Sequence, residues 1–340
     1  MGTGFGEGGM NMHSTHIENQ LKAHQVAVLC SGIGGSVIGY KKAGIDVKVA
    51  IDYDETSAFV IGKNYQDINV FWQSIKDTKG KDLRFICREE LDILDVSIPS
   101  RYMNHDRKDS KNHSKFLLDT VKIIYEAQPK IAVFHFDNRF NQGKHKLLVN
   151  EWIELMKQVG YDLHLETLKS SLFGVPNEKK WAFIIGVRKD IGIKPVFPEA
   201  PDANVSTKGA IEDLISEASD IAINPARLEY IENYFYPGIS YKEVKKIAHS
   251  LELPIHPAYY RRDRWEEPFY PLFGSTTRPI HPVKNRLLTL NEAKRIQTFP
   301  DDYILTENPS FNWKEVCSSI PPLLIQHVAE TIKKDILNYL

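Results

Sequence analysis

From Val26 onward, short runs rich in β-branched and aromatic residues alternate with helical patterns, and no other feature restricts the fold of this chain so tightly. Such alternation is the signature of a mainly parallel sheet covered by helices on both faces. Seven strands are predicted, at Val26–Cys30, Asp46–Ile51, Val70–Gln73, Leu91–Ser97, Lys130–Phe136, Tyr161–Leu168 and Trp181–Val187. Between them the spacing predicts helices at Val37–Ala43, closed by Gly44, at Thr56–Tyr65, at Ser114–Ala127, and at His145–Val159, closed by Gly160. After Asp190 the rhythm stops, and prolines from Pro195 to Pro282 crowd a stretch without clear alternation. This predicts a small loop-rich domain over 200–284. Two amphipathic helical segments, Thr289–Ile296 and Pro321–Leu337, then return to the first domain, which spans 23–199 plus 285–340, while 1–22 forms a tail.

With 340 residues, 42% hydrophobic and 26% charged, the chain can bury a full core. No apolar run approaches the roughly 20 residues of a membrane span. The first residues are rich in Gly, Asn and His and lack the basic and apolar regions of a signal peptide. Cys30, Cys87 and Cys317 have no metal-ligand spacing, which predicts a reducing, cytoplasmic setting with neither a disulfide framework nor a metal site. The 43 basic and 44 acidic residues leave a net charge of -1, so nucleic acid would have to meet a local basic surface.

The first strand runs into Ser31-Gly32-Ile33-Gly34-Gly35 and then a helix. A glycine turn there lets backbone N–H groups approach a ligand at the carboxyl edge of the sheet, although such turns also serve packing. The second strand ends in Asp52-Tyr53-Asp54, a carboxylate about 20 residues on, where ribose hydroxyls are commonly bound. Asp52 equally suits the cap of the following helix.

Five segments, in order, resemble the motifs of DNA cytosine-5 methyltransferases. They are Leu29 to Gly35 with Gly39, Ala43 and Gly44; Glu90 to Ser100; Phe134-His135-Phe136-Asp137-Asn138; Phe173-Gly174-Val175-Pro176 with Phe183 to Arg188; and Arg286 to Asp301 with Ile320-Pro321-Pro322. The resemblance implies a Rossmann-like S-adenosylmethionine-dependent methyltransferase fold, α/β with a seven-stranded mostly parallel sheet, plus a small target-recognition domain. It implies S-adenosylmethionine as cofactor, held by Ser31, Gly32, Ile33, Gly34, Gly35, Asp52, Tyr53, Ser318 and Ser319, and DNA as partner.

The same resemblance exposes departures. The nucleophile's cysteine falls on Ser100, and a hydroxyl does not add to carbon 6 of cytosine as a thiolate does unless a strong base assists. The glutamate that meets ring N3 of a flipped base falls on Asp137, one methylene shorter. The glutamine and two arginines that brace the loop and hold the base fall on Asn177, Lys179 and Trp181, and tryptophan provides no cationic fork. On the cofactor side, Cys30, Ser74 and Cys317-Ser318-Ser319 replace a phenylalanine, an aspartate and a Gly-Asn-Ala/Ser run.

Arg261, Arg262 and Arg264 lie among Tyr259, Tyr260 and Trp265 and suit either phosphate contact with stacking or a structural salt-bridge corner. The expected function is a non-catalytic homologue acting through DNA, an active methyltransferase or another component of a restriction-modification or defence system. The alternative is an active base-modifying enzyme.

Overall fold

A computed structural model of the chain describes residues 23–88, 91–99, 110–143, 145–201, 203–253, 260–274 and 278–340. The tail over 1–22, Glu90, Ser100 and Tyr259 lie outside the described residues. The seven strands are β1 Gln25–Leu29, β2 Asp46–Asp52, β3 Asn69–Trp72, β4 Ile93–Ser97, β5 Ile131–Asp137, β6 Tyr161–Lys169 and β7 Lys180–Arg188. They form one sheet in the order β3-β2-β1-β4-β5-β7-β6, parallel except for β7, which runs antiparallel to both neighbours. Every strand end falls within two residues of the sequence reading.

The connecting helices are α1 Gly35–Lys42, α2 Glu55–Asn64, α3 Gly80–Ile86, α4 Ser110–Ala127 and α5 His145–Gln158. α3 has no counterpart in the sequence reading. The period of two along β1 sends Val26 and Val28 to one face and Ala27 and Leu29 to the other. The first pair joins Val37, Tyr40, Ile325 and Val328. The second joins Phe116, Ile124 and Trp152. Burial on both faces explains why these strands read as nearly continuous apolar runs.

The stretch over 200–284 is more ordered than its prolines suggest. It holds α6 Thr207–Ile211, α7 Pro225–Tyr234 and α8 Tyr241–Ser250, set among irregular segments. Pro225 sits at the start of α7, where its missing N–H costs nothing, and Ser240 with Glu243 forms a capping box on α8. Ile231, Phe235, Val244, Tyr260 and Ile280 make a small core there, joined by Leu287 from the returning segment. Ile211, Phe269 and Leu272 of the same stretch instead pack with Ile33, Ile38 and the C-terminal helices.

Those helices are α9 Leu290–Ile296, α10 Pro309–Ser318 and α11 Pro322–Asp335. α11 lies along α1, and the approach is close enough that a Cβ on Gly39 would stand 2.6 Å from Ile325. This contact is what returns the C-terminus to the first half of the sheet.

Candidate functional site

The carboxyl ends of β1, β2, β4 and β5 open on one cleft of about 530 Å³. At one end the chain leaves β1 through Ser31, whose N–H donates to the Ile51 carbonyl at 3.1 Å, and turns at Gly34, whose N–H donates to the Ser31 carbonyl at 2.9 Å. Gly34 has φ +93°, and a Cβ there would meet the Tyr303 hydroxyl at 2.6 Å, so both conformation and space require glycine. Gly35 is equally pressed, its missing Cβ lying 2.4 Å from the Ile320 carbonyl. Packing therefore accounts for these two glycines. Gly32 differs, because nothing stands within 4 Å of its absent Cβ and it borders the open cleft.

Asp52 ends β2 with 4% exposure and ties the turn together. Its Oδ2 accepts from Gly32 N at 2.8 Å and its Oδ1 from Asp54 N at 2.9 Å. The cap of α2 is Asp54, which accepts from Ser57 N at 2.8 Å, so the capping reading of Asp52 passes to its neighbour. Ser31, Gly32, Gly35, Asp52, Tyr53, Ser318 and Ser319 all line the cleft. Ile33 and Gly34 do not line it: Ile33 is fully buried, its carbonyl accepting from the Tyr303 hydroxyl at 2.6 Å. A narrow recess beside Tyr53, lined by Cys30, Ile51, Gln73, Ser74 and Ile75, continues from this end.

At the other end β4 brings Ser97, Ile98 and Pro99, β5 brings Asp137, and the entry to β7 brings Lys179 and Trp181. Ser100 follows Pro99 in sequence and lies outside the described residues. Asp137 is clamped. Its Oδ1 accepts from Arg139 N at 3.0 Å and Nε at 2.9 Å, and its Oδ2 from Nη2 at 2.9 Å. Burial works against the ionised carboxyl, but the Arg139 hydrogen bonds and the Lys179 charge outweigh it and hold its pKa below the usual carboxylate value. The Arg139 guanidinium also covers the Phe273 ring at 4.7 Å. Phe273 enters with Gly274, whose absent Cβ would lie 2.5 Å from the Lys314 carbonyl, so this segment is pressed onto α10.

Lys179 is 5% exposed and sits over Trp181 at 4.3 Å from the ring centroid. Its nearest carboxylate oxygen is Asp137 Oδ2 at 4.0 Å. Burial pushes its pKa down to about 8, against the pull of Asp137. Asn177 remains a brace despite being shorter than glutamine. Its Oδ1 accepts from Lys179 N at 2.9 Å, and its Nδ2 donates to Gln297 Oε1 at 3.0 Å. Gln297 in turn donates to the Val316 and Cys317 carbonyls at 3.2 and 3.1 Å. Cys317 is fully buried, and burial raises its pKa.

The three arginines of the smaller stretch separate. Arg262 is buried and donates to the Pro282 carbonyl at 3.2 Å and to Asn285 Oδ1 at 3.0 Å. Arg261 donates to Asp263 at 2.7 Å and lies over Tyr270. Arg264 has a side chain 64% exposed, paired at its tip with Glu267. Two of the three thus act as internal braces.

Sequence reasoning missed Arg139, Phe273 and Glu315 as cleft residues. Arg139 was within reach, standing two places after Asp137 where a guanidinium can fold back on the carboxylate. Phe273 carried no local signal, since only tertiary packing brings it there. Among the described residues no group of His, Cys, Asp or Glu is arranged to hold a metal ion, and no helix is long and apolar enough to cross a membrane.

A family model described as C-5 cytosine-specific DNA methylase matches residues 25–334. The type II methyltransferase M.NgoPII of Neisseria gonorrhoeae is 25% identical over 334 residues, covering 91% of this chain and 95% of that protein. M.XorII of Xanthomonas oryzae is 23% identical, covering 90% and 84%. Among solved structures, a protein assigned as a DNA modification methyltransferase of an E. coli prophage superposes with a TM-score of 0.74 at 19% identity, over 93% of this chain and all of that one. Spodoptera frugiperda DNMT2 superposes with a TM-score of 0.61 at 16% identity, over 89% and 98%.

Proposed function

Because the chain belongs to the C-5 cytosine-specific DNA methylase family, we propose that it is a member that keeps the cofactor cleft and has lost methyl transfer. The observation that carries this reading is the bidentate hold of Arg139 on Asp137, which occupies the carboxylate that should meet the base. Ser100 at the nucleophile's position and Trp181 in place of a cationic fork point the same way.

S-adenosylmethionine is the cofactor of this family. The described residues fit it: the Asp52 carboxylate borders the cleft where ribose hydroxyls would lie, Gly32 leaves its approach open, Tyr53 and the recess at Ser74 suit the adenine, and Ser318 and Ser319 border the remaining length. When bound it would supply an electrophilic methyl group. At the other end Asn177 and Gln297 brace the segment before β7, and the Asp137 carboxylate is engaged by Arg139.

The protein then acts by binding rather than by turnover, on DNA through the stretch over 200–284 and on a protein component of a modification or defence system. A retained cofactor pocket without transfer chemistry is what a regulatory subunit needs. Incubation of the purified protein with duplex DNA and methyl-labelled S-adenosylmethionine tests this. No label should enter DNA, and incorporation that disappears in Ser100→Ala would overturn the reading.

A further inference from the structure

The geometry points to Glu315 as the residue that makes the cleft select S-adenosylmethionine over S-adenosylhomocysteine, the same molecule without its transferable methyl group and without the sulfonium charge. The inference rests on the cofactor cleft being kept, and it says which form of the cofactor the protein holds. Glu315 lies on α10, whose period turns Val316 and Cys317 into the core and leaves Glu315 and Ser318 on the side that lines the cleft.

Charge is divided unevenly along the cleft. Toward β1 and β2 the described lining residues include three carboxylates, Asp52, Asp54 and Glu315, against the one ammonium of Lys314. Toward β5 and β7, Arg139 and Lys179 outnumber Asp137. The end that suits the cofactor is therefore the acidic one. Asp52 and Asp54 also serve the turn and the cap of α2, accepting from Gly32 N, Asp54 N and Ser57 N. Glu315 has a different setting. Its side chain is 20% exposed and pairs at 3.2 Å with Lys314, whose own side chain is 64% exposed. Water screens the lysine far more than the carboxylate, so the pair does not cancel within the cleft.

Burial raises the Glu315 pKa, and the Asp52 and Asp54 charges raise it further while Lys314 lowers it. The acidic end thus opposes its own ionisation, and a cation placed there relieves that opposition. S-adenosylhomocysteine keeps the adenine, the ribose and the amino acid but brings no such charge. In a protein that binds without transferring, occupancy then follows the charged donor and not its spent form.

Calorimetry on the full chain at pH 7.5 tests this with three probes: S-adenosylmethionine, S-adenosylhomocysteine and sinefungin, in which a protonated amine stands in place of the methyl sulfonium. The parent protein should bind the two cationic probes about tenfold or more tightly than S-adenosylhomocysteine, a difference within reach of one partly screened charge pair. Glu315→Gln should bring all three within about threefold of one another by weakening the two cations alone, and Glu315→Asp should keep a preference for them. A merely structural role would weaken all three together. Equal parent affinity for S-adenosylmethionine and S-adenosylhomocysteine, a preference that survives Glu315→Gln, or a loss in that variant shared by all three probes would overturn the inference and leave the kept cleft standing. Binding of none of them to the parent protein would overturn the kept cleft and the inference with it. Thermal unfolding of both variants, expected near that of the parent protein, separates lost binding from lost folding.

Discussion

Arg139 grips the Asp137 carboxylate edge-on, Nε to Oδ1 at 2.9 Å and Nη2 to Oδ2 at 2.9 Å, and both residues line the cleft. A bidentate pair of this kind is both strong and directional, so the carboxylate is not free to reach a ring nitrogen without breaking it. Restoring the nucleophile alone should therefore not restore activity. Ser100→Cys is expected to leave methyl transfer at background, whereas the double variant Ser100→Cys with Arg139→Ala frees the carboxylate and should give the larger signal of the two. Efficient transfer by the single variant would show that the clamp opens readily.

The cofactor end makes a separate prediction. If Asp52 receives the ribose hydroxyls, its removal loses charge-assisted hydrogen bonds of roughly 1.5–3 kcal/mol, so Asp52→Ala should weaken S-adenosylmethionine about tenfold or more. Asp52 also holds Gly32 N and Asp54 N, and Asp52→Asn keeps an acceptor for that role. Calorimetry should find both variants weakened, with the alanine the worse. Affinity equal to the parent protein in both would place the ligand elsewhere.

Lys179 predicts a pH dependence of stability. Burial holds its folded-state pKa at about 8, against 10.5 for an ordinary lysine, while Asp137 raises it and Arg139 lowers it. Between those values the unfolded chain binds the extra proton, so stability should rise with pH across that window, by up to about 3 kcal/mol from this group. Urea unfolding at pH 7.5 and 9.5 should show a rise in the parent protein that is smaller in Lys179→Met. An identical profile in the variant would mean that Lys179 is not the group responsible.

Much of this was written in the chain. Strand ends followed from apolar runs of the right length, and Gly44 and Gly160 marked helix ends because their φ values of +67° and +100° suit glycine. What escaped was non-local or masked by composition. The crowd of prolines hid α7 and α8, although Asn224-Pro225 and Ser240-x-x-Glu243 are ordinary start signals. The loss of the family's glutamine read as a lost brace, whereas the shorter Asn177 reaches Gln297 because the loop closes on α10. Phe273 reaches the cleft only through packing, which no local pattern encodes.

The arginines of the smaller stretch divide by burial. Arg264→Ala should reduce the salt dependence of DNA binding by about one contact, near 0.9 on a log-log slope, without altering stability. Arg262→Ala should instead lower stability by roughly 1–3 kcal/mol, because it removes a buried partner of Pro282 and Asn285. Filter binding across a salt series, with unfolding run in parallel, checks both; a stable Arg262→Ala protein with a reduced slope would reverse the assignment.

Cofactor retention without transfer is tested most directly by a single-turnover experiment. The protein is loaded with methyl-labelled S-adenosylmethionine, excess duplex DNA is added, and label is counted on protein and on DNA. The account predicts label held by the protein, displaceable by unlabelled cofactor and weakened in Asp52→Ala, with none on DNA. Label that moves to DNA and is lost in Ser100→Ala, or a protein that retains no label at all, would contradict it.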